Sequence, residues 1–430
     1  LTNTQLSANI NITENQPKVV WQMYITRHIE KVLNSPEFLR GVMAVTGARQ
    51  TGKSTLMQHV FKSKGLNTVV LDELETRTLA KSNPKLFLAR NKTPLFIDEA
   101  QYAPELFPYM KAHIDASGEK GVFFLSGSQR FNMIKDLSES LAGRVGIFEL
   151  LGLSMRELKN DMFSIPFIPT EYYLSERGNP GLDYNEIWQL IHTGSFPELH
   201  IAPELNRGAF YNDYINTYIE RDVKKIENVG DEIKFYQFLQ VTAANSGNLF
   251  NVDGIAKEIG VNRPTCEKWL SVLRASNLIY LLPPYHSNIT KRAIKTPKVY
   301  FLDTGLMAYL TKWHTAEQIE TGAMAGAFFE TFVFCEILKS FYNSGIDPKN
   351  YMYFYRDKDG NKIDFIINYN GKLHPIEVKK SSNPTVHDIK AFRFAGDPQT
   401  NTRGEGAIVC LNDRILPLSE LDNIVPVSYI

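Results

Sequence analysis

The chain has 430 residues, too many for one hydrophobic core and enough for two to four domains. Lysine plus arginine number 47, as do aspartate plus glutamate, so the formal charge is zero; any contact with nucleic acid or anionic membrane must come from a local patch. A hydrophobic content of 43% with 22% charged residues excludes a disordered or fibrous chain, and no apolar run reaches the ~20 residues that span a bilayer.

Cys266, Cys335 and Cys410 lie far apart without metal-ligand spacing, so neither a zinc site nor a disulfide framework is expected, which fits a reducing cytoplasm. The polar start Leu1-Thr2-Asn3-Thr4-Gln5 lacks the basic and apolar regions of a signal peptide. A cytoplasmic location without membrane contact is the expectation.

Apolar positions at Ile25, Ile29 and Leu33 predict a helix over Tyr24 to Leu33. The apolar stretch Gly41-Val42-Met43-Ala44-Val45 then runs into Gly47-Ala48-Arg49-Gln50-Thr51-Gly52-Lys53-Ser54 and the amphipathic Thr55 to Phe61. This strand, glycine-bounded loop and helix fit G-x-x-x-x-G-K-[ST], in which loop amides and the helix N-terminus hold phosphate oxygens. Lysine there reaches the β- and γ-phosphates and the hydroxyl binds Mg²⁺. Gly47, Gln50, Thr51, Gly52, Lys53, Ser54 and Thr55 are therefore the candidate binding set for ATP, with Mg²⁺ on Ser54.

Two further short apolar runs, Asn67 to Asp72 and Pro94 to Asp98, are separated by a charged helical segment, an alternation that predicts a parallel sheet covered by helices. The second run delivers Asp98 and Glu99 at its tip. In P-loop ATPases the first acid holds the Mg²⁺ shell and a following glutamate polarises the attacking water, roles that suit Asp98 and Glu99. Gly121 to Leu125 is the next strand and leads into Ser126-Gly127-Ser128. In additional-strand ATPases such a strand lies between the phosphate-loop strand and the acidic strand and ends in a polar residue near the γ-phosphate, which makes Ser126 or Ser128 a candidate sensor, the alternative being a plain turn. Arg144, beside a turn ahead of Val145 to Leu150, is a candidate arginine finger, acting in its own subunit or across an interface.

These motifs, with Gly194-Ser195-Phe196-Pro197-Glu198 and Thr217-Tyr218-Ile219-Glu220-Arg221-Asp222-Val223, together resemble the prokaryotic AAA-type ATPases that carry a C-terminal domain of uncharacterised function. The resemblance covers nearly the whole chain. It implies that Glu220, Arg221 and Asp222 either link the middle of the chain to nucleotide or a neighbouring subunit, or form a salt-bridge knot within their own domain.

A proline- and glycine-rich loop from Ser164 to Leu182 marks a boundary, beyond which Tyr184 to Ile191 and Arg207 to Ile226 read as helices. Asn251 to Gly260, a turn at Val261-Asn262-Arg263, and Pro264 to Ala275 form a helix-turn-helix pattern. Two β-rich stretches follow, Leu278 to Leu282 and Lys298 to Leu302, with Lys291, Arg292, Lys295 and Lys298 between or at their ends, in the layout of a winged helix. On DNA, the second helix would present Arg263, Thr265, Glu267 and Lys268 to the major groove and the basic wing would grip the backbone. Glu267 and Trp269 count against that picture, and winged helices also join proteins.

Ala327 to Leu338 is a strongly apolar helix carrying Glu330 and Glu336. Strands follow over Tyr351 to Arg356, Lys362 to Asn368 and His374 to Lys380. Glu377 and Lys379, two apart, project from one face while Ile376 and Val378 enter the core. Asp364 lies on the adjacent hairpin strand. An acid facing E-x-K resembles the restriction-endonuclease-like PD-(D/E)xK fold, with Glu330 as its helix-borne acid. The resemblance implies Mg²⁺ on the carboxylates and an ammonium at the reacting phosphate, with Asp364, Glu377 and Lys379 at an open groove near Glu330. Lys362 departs from the pattern where relatives commonly carry an acid.

The fold class expected is α/β: a P-loop parallel sheet over residues 20–160, a helical and winged-helix region over 161–315, and an α/β restriction-endonuclease-like domain over 316–430. The leading functional reading is an ATP-hydrolysing switch or motor acting on DNA or a protein partner, or within a homo-oligomer. The alternatives are an ATP-regulated, metal-dependent DNA nuclease and a non-enzymatic adaptor that retains nucleotide.

Overall fold

The computed structural model of the chain describes residues 24–61, 65–127, 136–137, 139–181, 183–218, 231–286, 296–396 and 402–430. Val42–Thr46 (β1) is buried at every position, as a strand covered on both faces must be. It joins Asn67–Val70 (β2), Leu95–Asp98 (β3), Phe123–Gly127 (β4) and Val145–Glu149 (β5) in a parallel sheet of order β2-β3-β4-β1-β5. Alternate residues feed opposite faces. Val42, Ala44, Leu95 and Ile97 pack in one apolar cluster, and Met43, Val45 and Phe96 in the other.

β4 stands between β1 and β3, where the sequence places the additional strand. Parallel register brings the three C-terminal tips side by side, with Thr46 opposite Gly127 and Ile97 opposite Leu125. The phosphate loop and Asp98 therefore open at one end of the sheet.

From Leu151 to Ile430 a single apolar core is continuous. Its axis is helix Ala325–Tyr342, apolar nearly all round and accordingly buried along most of its length. Helix Val252–Ile259 begins on an Asn251 cap and ends at Gly260 in the left-handed conformation. Helix Arg263–Ala275 begins on Asn262, and its Trp269 packs against Phe235 and Phe238 as core rather than surface. An antiparallel pair, Ile279–Leu282 (β6) and Lys298–Phe301 (β7), follows. The last sheet contains Met352–Arg356 (β8), Lys362–Tyr369 (β9), Lys372–Lys379 (β10), Thr402–Arg403 (β11), Gly406–Cys410 (β12), Leu416–Pro417 (β13) and Asp422–Pro426 (β14). Its order is β13-β14-β12-β10-β9-β8, with β11 beside β10.

The segment after β5 is pinned to this second core. The Met155 amide donates to Glu336 Oε2 at 2.7 Å, Lys339 Nζ donates to the Leu153 carbonyl at 2.8 Å, and Arg156 Nε donates to the carbonyl of Ile430 at 2.9 Å. Two details differ from the sequence reading. The first helix is confined to Ile29–Asn34, because Glu30 turns back to accept from Tyr24 Oη and the Arg27 amide. The loop from Ser164 contains a helix, Glu171–Arg177, capped by Thr170. Helix Arg207–Tyr218 is described to Tyr218, and Glu220, Arg221 and Asp222 lie outside the described residues, as do Lys291, Arg292 and Lys295. Among the described residues no helix is long and apolar enough to cross a membrane.

Candidate nucleotide site

The phosphate loop is built by two glycines. A Cβ on Gly47 would fall 2.1 Å from the carbonyl oxygen of Leu150, and Gly52 sits at φ 87°, where side chains are strained. Helix Lys53–Phe61 starts at once, so its first turn faces the loop. Lys53 is buried, with Nζ donating to the Ala48 carbonyl at 2.7 Å, and Thr51 Oγ1 donates to the same oxygen at 3.0 Å. Ser54 is half-buried on the first turn, and Thr55 is exposed beside it.

Behind the loop stands Arg27, buried to 4% exposure. Its Nη1 donates to the Thr51 carbonyl at 3.0 Å and its Nη2 to the Leu151 carbonyl at 2.8 Å, while Nε pairs with Glu157 Oε1 at 3.1 Å. Glu157 also accepts from the His28 amide at 2.9 Å and from Asn343 Nδ2 at 3.3 Å. Burial pushes this carboxyl up, but Arg27 and the amide donors outweigh it and hold it below the usual glutamate range.

At the neighbouring strand tip, Asp98 Oδ1 accepts from the Glu99 amide at 3.1 Å and from the hydroxyl of Ser126 on β4. Glu99 takes a left-handed φ of 55°, and its carboxylate accepts from Gln101 Nε2. Of the two serines offered as sensor, Ser126 thus touches Asp98, and Ser128 lies outside the described residues.

Beside the loop opens a cleft of ≈ 290 Å³ lined by Tyr24, Ile25, Arg27, Gln50, Gly52 and Thr55 on one side and Leu153, Pro197, Glu198 and Ile201 on the other. Pro197 comes from the Gly194 to Glu198 motif, which Asp303 holds in place. That buried carboxylate accepts from the Ser195 amide at 2.7 Å, Ser195 Oγ at 2.8 Å, Tyr211 Oη at 2.8 Å and the Leu306 amide at 2.7 Å. The residues present fit a magnesium-bound nucleotide: a glycine cradle, a buried lysine at its rim, a hydroxyl at Ser54 and a carboxylate at Asp98, with a cleft alongside.

Arg144 is elsewhere. It precedes β5, and its carbonyl accepts from Val42 at the start of β1, so the whole strand, roughly 13 Å at ~3.3 Å per residue, separates it from the loop of its own chain. It is half-buried and forms a two-point pair with Asp115, Nε to Oδ1 at 2.5 Å and Nη2 to Oδ2 at 3.1 Å. This placement puts it at the end of the sheet opposite the loop of its own chain.

The four residues suggested as a nuclease centre do converge, though not at an open groove: Asp364 is 2% and Glu377 4% exposed. Lys298, expected on a DNA-gripping wing, turns inward instead. Its Nζ lies 2.9 Å from Glu330 Oε1 and 3.6 Å from Asp364 Oδ1, and Tyr300 Oη donates to Glu330 at 2.6 Å. Lys379 pairs with Glu377 at 2.8 Å, and Lys362 approaches Asp364 at 3.7 Å. Burial, then the Asp364 charge, push Glu377 up to about 7, and the same causes raise Glu330. Burial alone would lower Lys298, but Glu330 and Asp364 outweigh it and hold it protonated. At the start of helix Arg263–Ala275, Arg263 pairs with Asp253 at 2.7 Å and Glu267 at 2.8 Å, so its charge is matched within the fold.

A family model described as an AAA domain matches residues 39–159. The first domain is of the AAA type. Residues 184–317 and 325–430 match two domains of unknown function, DUF8612 and DUF4143. The chain is similar to uncharacterized proteins Rv2008c of Mycobacterium tuberculosis and Mb2031c of Mycobacterium bovis, each 27% identical over 346 residues, covering 80% of this chain and 71% of theirs. In fold it is similar to the Walker-type ATPase PABY2304 of Pyrococcus abyssi, with 15% identity, 66% of this chain and 94% of that one covered, and a TM-score of 0.42.

Sequence reading missed Arg27 and Asp303, the two residues that fix the AAA domain's loop and cleft from behind. Asp303 carries a local signal, an acid capping a helix just after a strand, in Leu302-Asp303-Thr304-Gly305. Arg27 carries none, because its partners lie 24 to 130 residues away.

Proposed function

We infer that this protein is an ATP-hydrolysing switch whose nucleotide state is passed from residues 20–160 to the middle region 161–315 and the C-terminal region 316–430. The observation that carries the reading is the placement of the phosphate loop, Ser126 and Asp98 on three adjacent strand tips, next to a cleft of ≈ 290 Å³.

In this reading the loop amides of 47–52 and the first turn of the following helix bind the phosphates, and Lys53 moves from Ala48 to the β- and γ-oxygens. Ser54 and Asp98 hold Mg²⁺, which when bound neutralises phosphate charge. Glu99, released from Gln101, orients the attacking water. Ser126, sharing Asp98, senses whether the γ-phosphate is present. Tyr24, Ile25, Pro197 and Ile201 enclose the nucleoside. Arg144 serves the site of a neighbouring subunit, which makes a homo-oligomer the active form.

The output route is the bonded chain from Thr51 through Arg27 and Glu157 to Asn343, which caps the end of helix Ala325–Tyr342, each link between 3.0 and 3.3 Å. The matched charge of Arg263 and the neutral net charge favour a protein partner over DNA. Glu99→Gln is the direct test. Calorimetry should find ATP binding retained while turnover falls about a hundredfold or more. Turnover in the wild type as low as in this variant, with nucleotide tightly held, would leave the adaptor reading instead.

A further inference from the structure

The PD-(D/E)xK resemblance implies a divalent cation among Glu330, Asp364 and Glu377, and the side chains around those carboxylates do not fit one. A hydrolytic Mg²⁺ demands oxygen ligands at about 2.0–2.1 Å in near-octahedral array, with carboxylate oxygens turned toward a shared point. Here the shared point between Glu330 and Asp364 is taken by the ammonium of Lys298, at 2.9 Å and 3.6 Å. Tyr300 Oη also donates to Glu330 Oε1 at 2.6 Å, while the Tyr300 and Phe354 rings lie 5.9 and 5.8 Å from the ammonium.

Two more of the carboxylate oxygens are committed as well. Asp364 Oδ2 accepts from the Val378 amide at 3.1 Å, and Glu377 Oε1 is held by Lys379 at 2.8 Å. Asp364 Oδ1 is buried without a hydrogen bond, yet what faces it is two ammonium groups, Lys298 at 3.6 Å and Lys362 at 3.7 Å. Three carboxylates thus stand against three lysines. Among the described residues, no three acidic, imidazole or thiol groups are placed to share a metal ion.

We propose that Lys298, reaching in from the β6–β7 hairpin, is the resident cation of the C-terminal acidic cluster, and that it excludes a divalent metal from the position a PD-(D/E)xK nuclease would fill. The hairpin strand β7 and the C-terminal sheet are thereby locked together by charge. The cluster is an ionic joint in this conformation, and the arrangement of Asp364, Glu377 and Lys379 does not by itself confer DNA cleavage. Removing a partner from such a buried group leaves carboxylates uncompensated, which is the condition under which they would capture a metal.

The test is Mn²⁺ binding to the full, nucleotide-free chain, read from the paramagnetic resonance of free Mn²⁺. The proteins compared are wild type, Lys298→Met, Asp364→Asn, and Lys298→Met with Asp364→Asn. Binding near Ser54 and Asp98 is common to all four and cancels. Lys298→Met should gain one Mn²⁺ site, about tenfold or more tighter than any binding at this cluster in wild type, and the double variant should lose it. Mn²⁺ should also raise the melting temperature of Lys298→Met beyond its effect on wild type. A wild-type Mn²⁺ site that Asp364→Asn abolishes overturns the proposal, as does a folded Lys298→Met with no gained site. Should Lys298→Met fail to fold, wild type against Asp364→Asn decides alone: equal Mn²⁺ binding upholds the exclusion and a lost site refutes it. Failure here leaves the ATPase reading untouched, since no residue of the phosphate loop enters the comparison.

Discussion

Arg27 and Glu157 form a buried ion pair, Nε to Oε1 at 3.1 Å, with side chains 4% and 0% exposed, and the arginine's other arm supports the phosphate loop. The pair ties the segment before β1 to the one after β5. Arg27→Ala strands the Glu157 carboxylate in the interior, and breaking a buried pair from one side costs about 3–5 kcal/mol. Urea denaturation of the nucleotide-free protein should show a loss of that order. A loss under roughly 1 kcal/mol, the range of exposed pairs, would contradict the structural role given to this arginine.

Asp303 positions the nucleotide cleft from behind the phosphate loop, where it shares a small cavity with Ala48 and Thr51. Its carboxylate accepts four hydrogen bonds, and the amide of Asp303→Asn turns an NH₂ group toward two of those donors. The substitution should cost about 1–3 kcal/mol and loosen Pro197 from the cleft, raising the KM for ATP more than it lowers kcat. Steady-state kinetics across ATP concentrations separates the two effects. An unchanged KM in a destabilised protein would confine Asp303 to folding.

Arg144 stands at the end of β5 remote from its own loop, so the proposed contribution to hydrolysis is one made across an interface. Lys53→Ala and Arg144→Ala should each be nearly inactive alone, and mixing them should restore a measurable fraction of turnover, because some interfaces then pair an intact loop with an intact arginine. Full activity in Arg144→Ala, or no recovery on mixing subunits shown to exchange, would remove this arginine from the site.

Acid should destabilise the fold through its histidines. Burial depresses His28, His192, His200 and His374, His192 to about 4, so the native state holds them neutral. A histidine lowered in the folded state contributes stability that is complete above the unfolded value of about 6.5 and is lost as pH falls toward the folded one. The denaturant midpoint should therefore drop between pH 6.5 and 4. His192→Gln should flatten that slope, and a midpoint constant over this range would contradict the burial assigned to these rings.

Much of the AAA domain is legible in the sequence because its chemistry is local. Gly47 to Ser54 sit between a strand and a helix, and Asp98 closes an apolar run, so contiguous residues report both loop and strand tip. The inward turn of Lys298 is not legible. A lysine after a basic segment reads as a solvated wing until Glu330 and Asp364, 32 and 66 residues later, are known to converge on it. The same applies to Arg156, whose acceptor is the carbonyl of Ile430. Periodicity reports which face is buried, and long-range pairing decides which charge goes inside with it.

The central claim is that the loop from Gly47 to Ser54 binds ATP for hydrolysis, and the most direct measurement is phosphate release from ATP and Mg²⁺ by wild type and Lys53→Ala under identical conditions. The account predicts saturable turnover by the wild type that falls to background in Lys53→Ala while the variant keeps its fold. Equal phosphate release from the two proteins would contradict it.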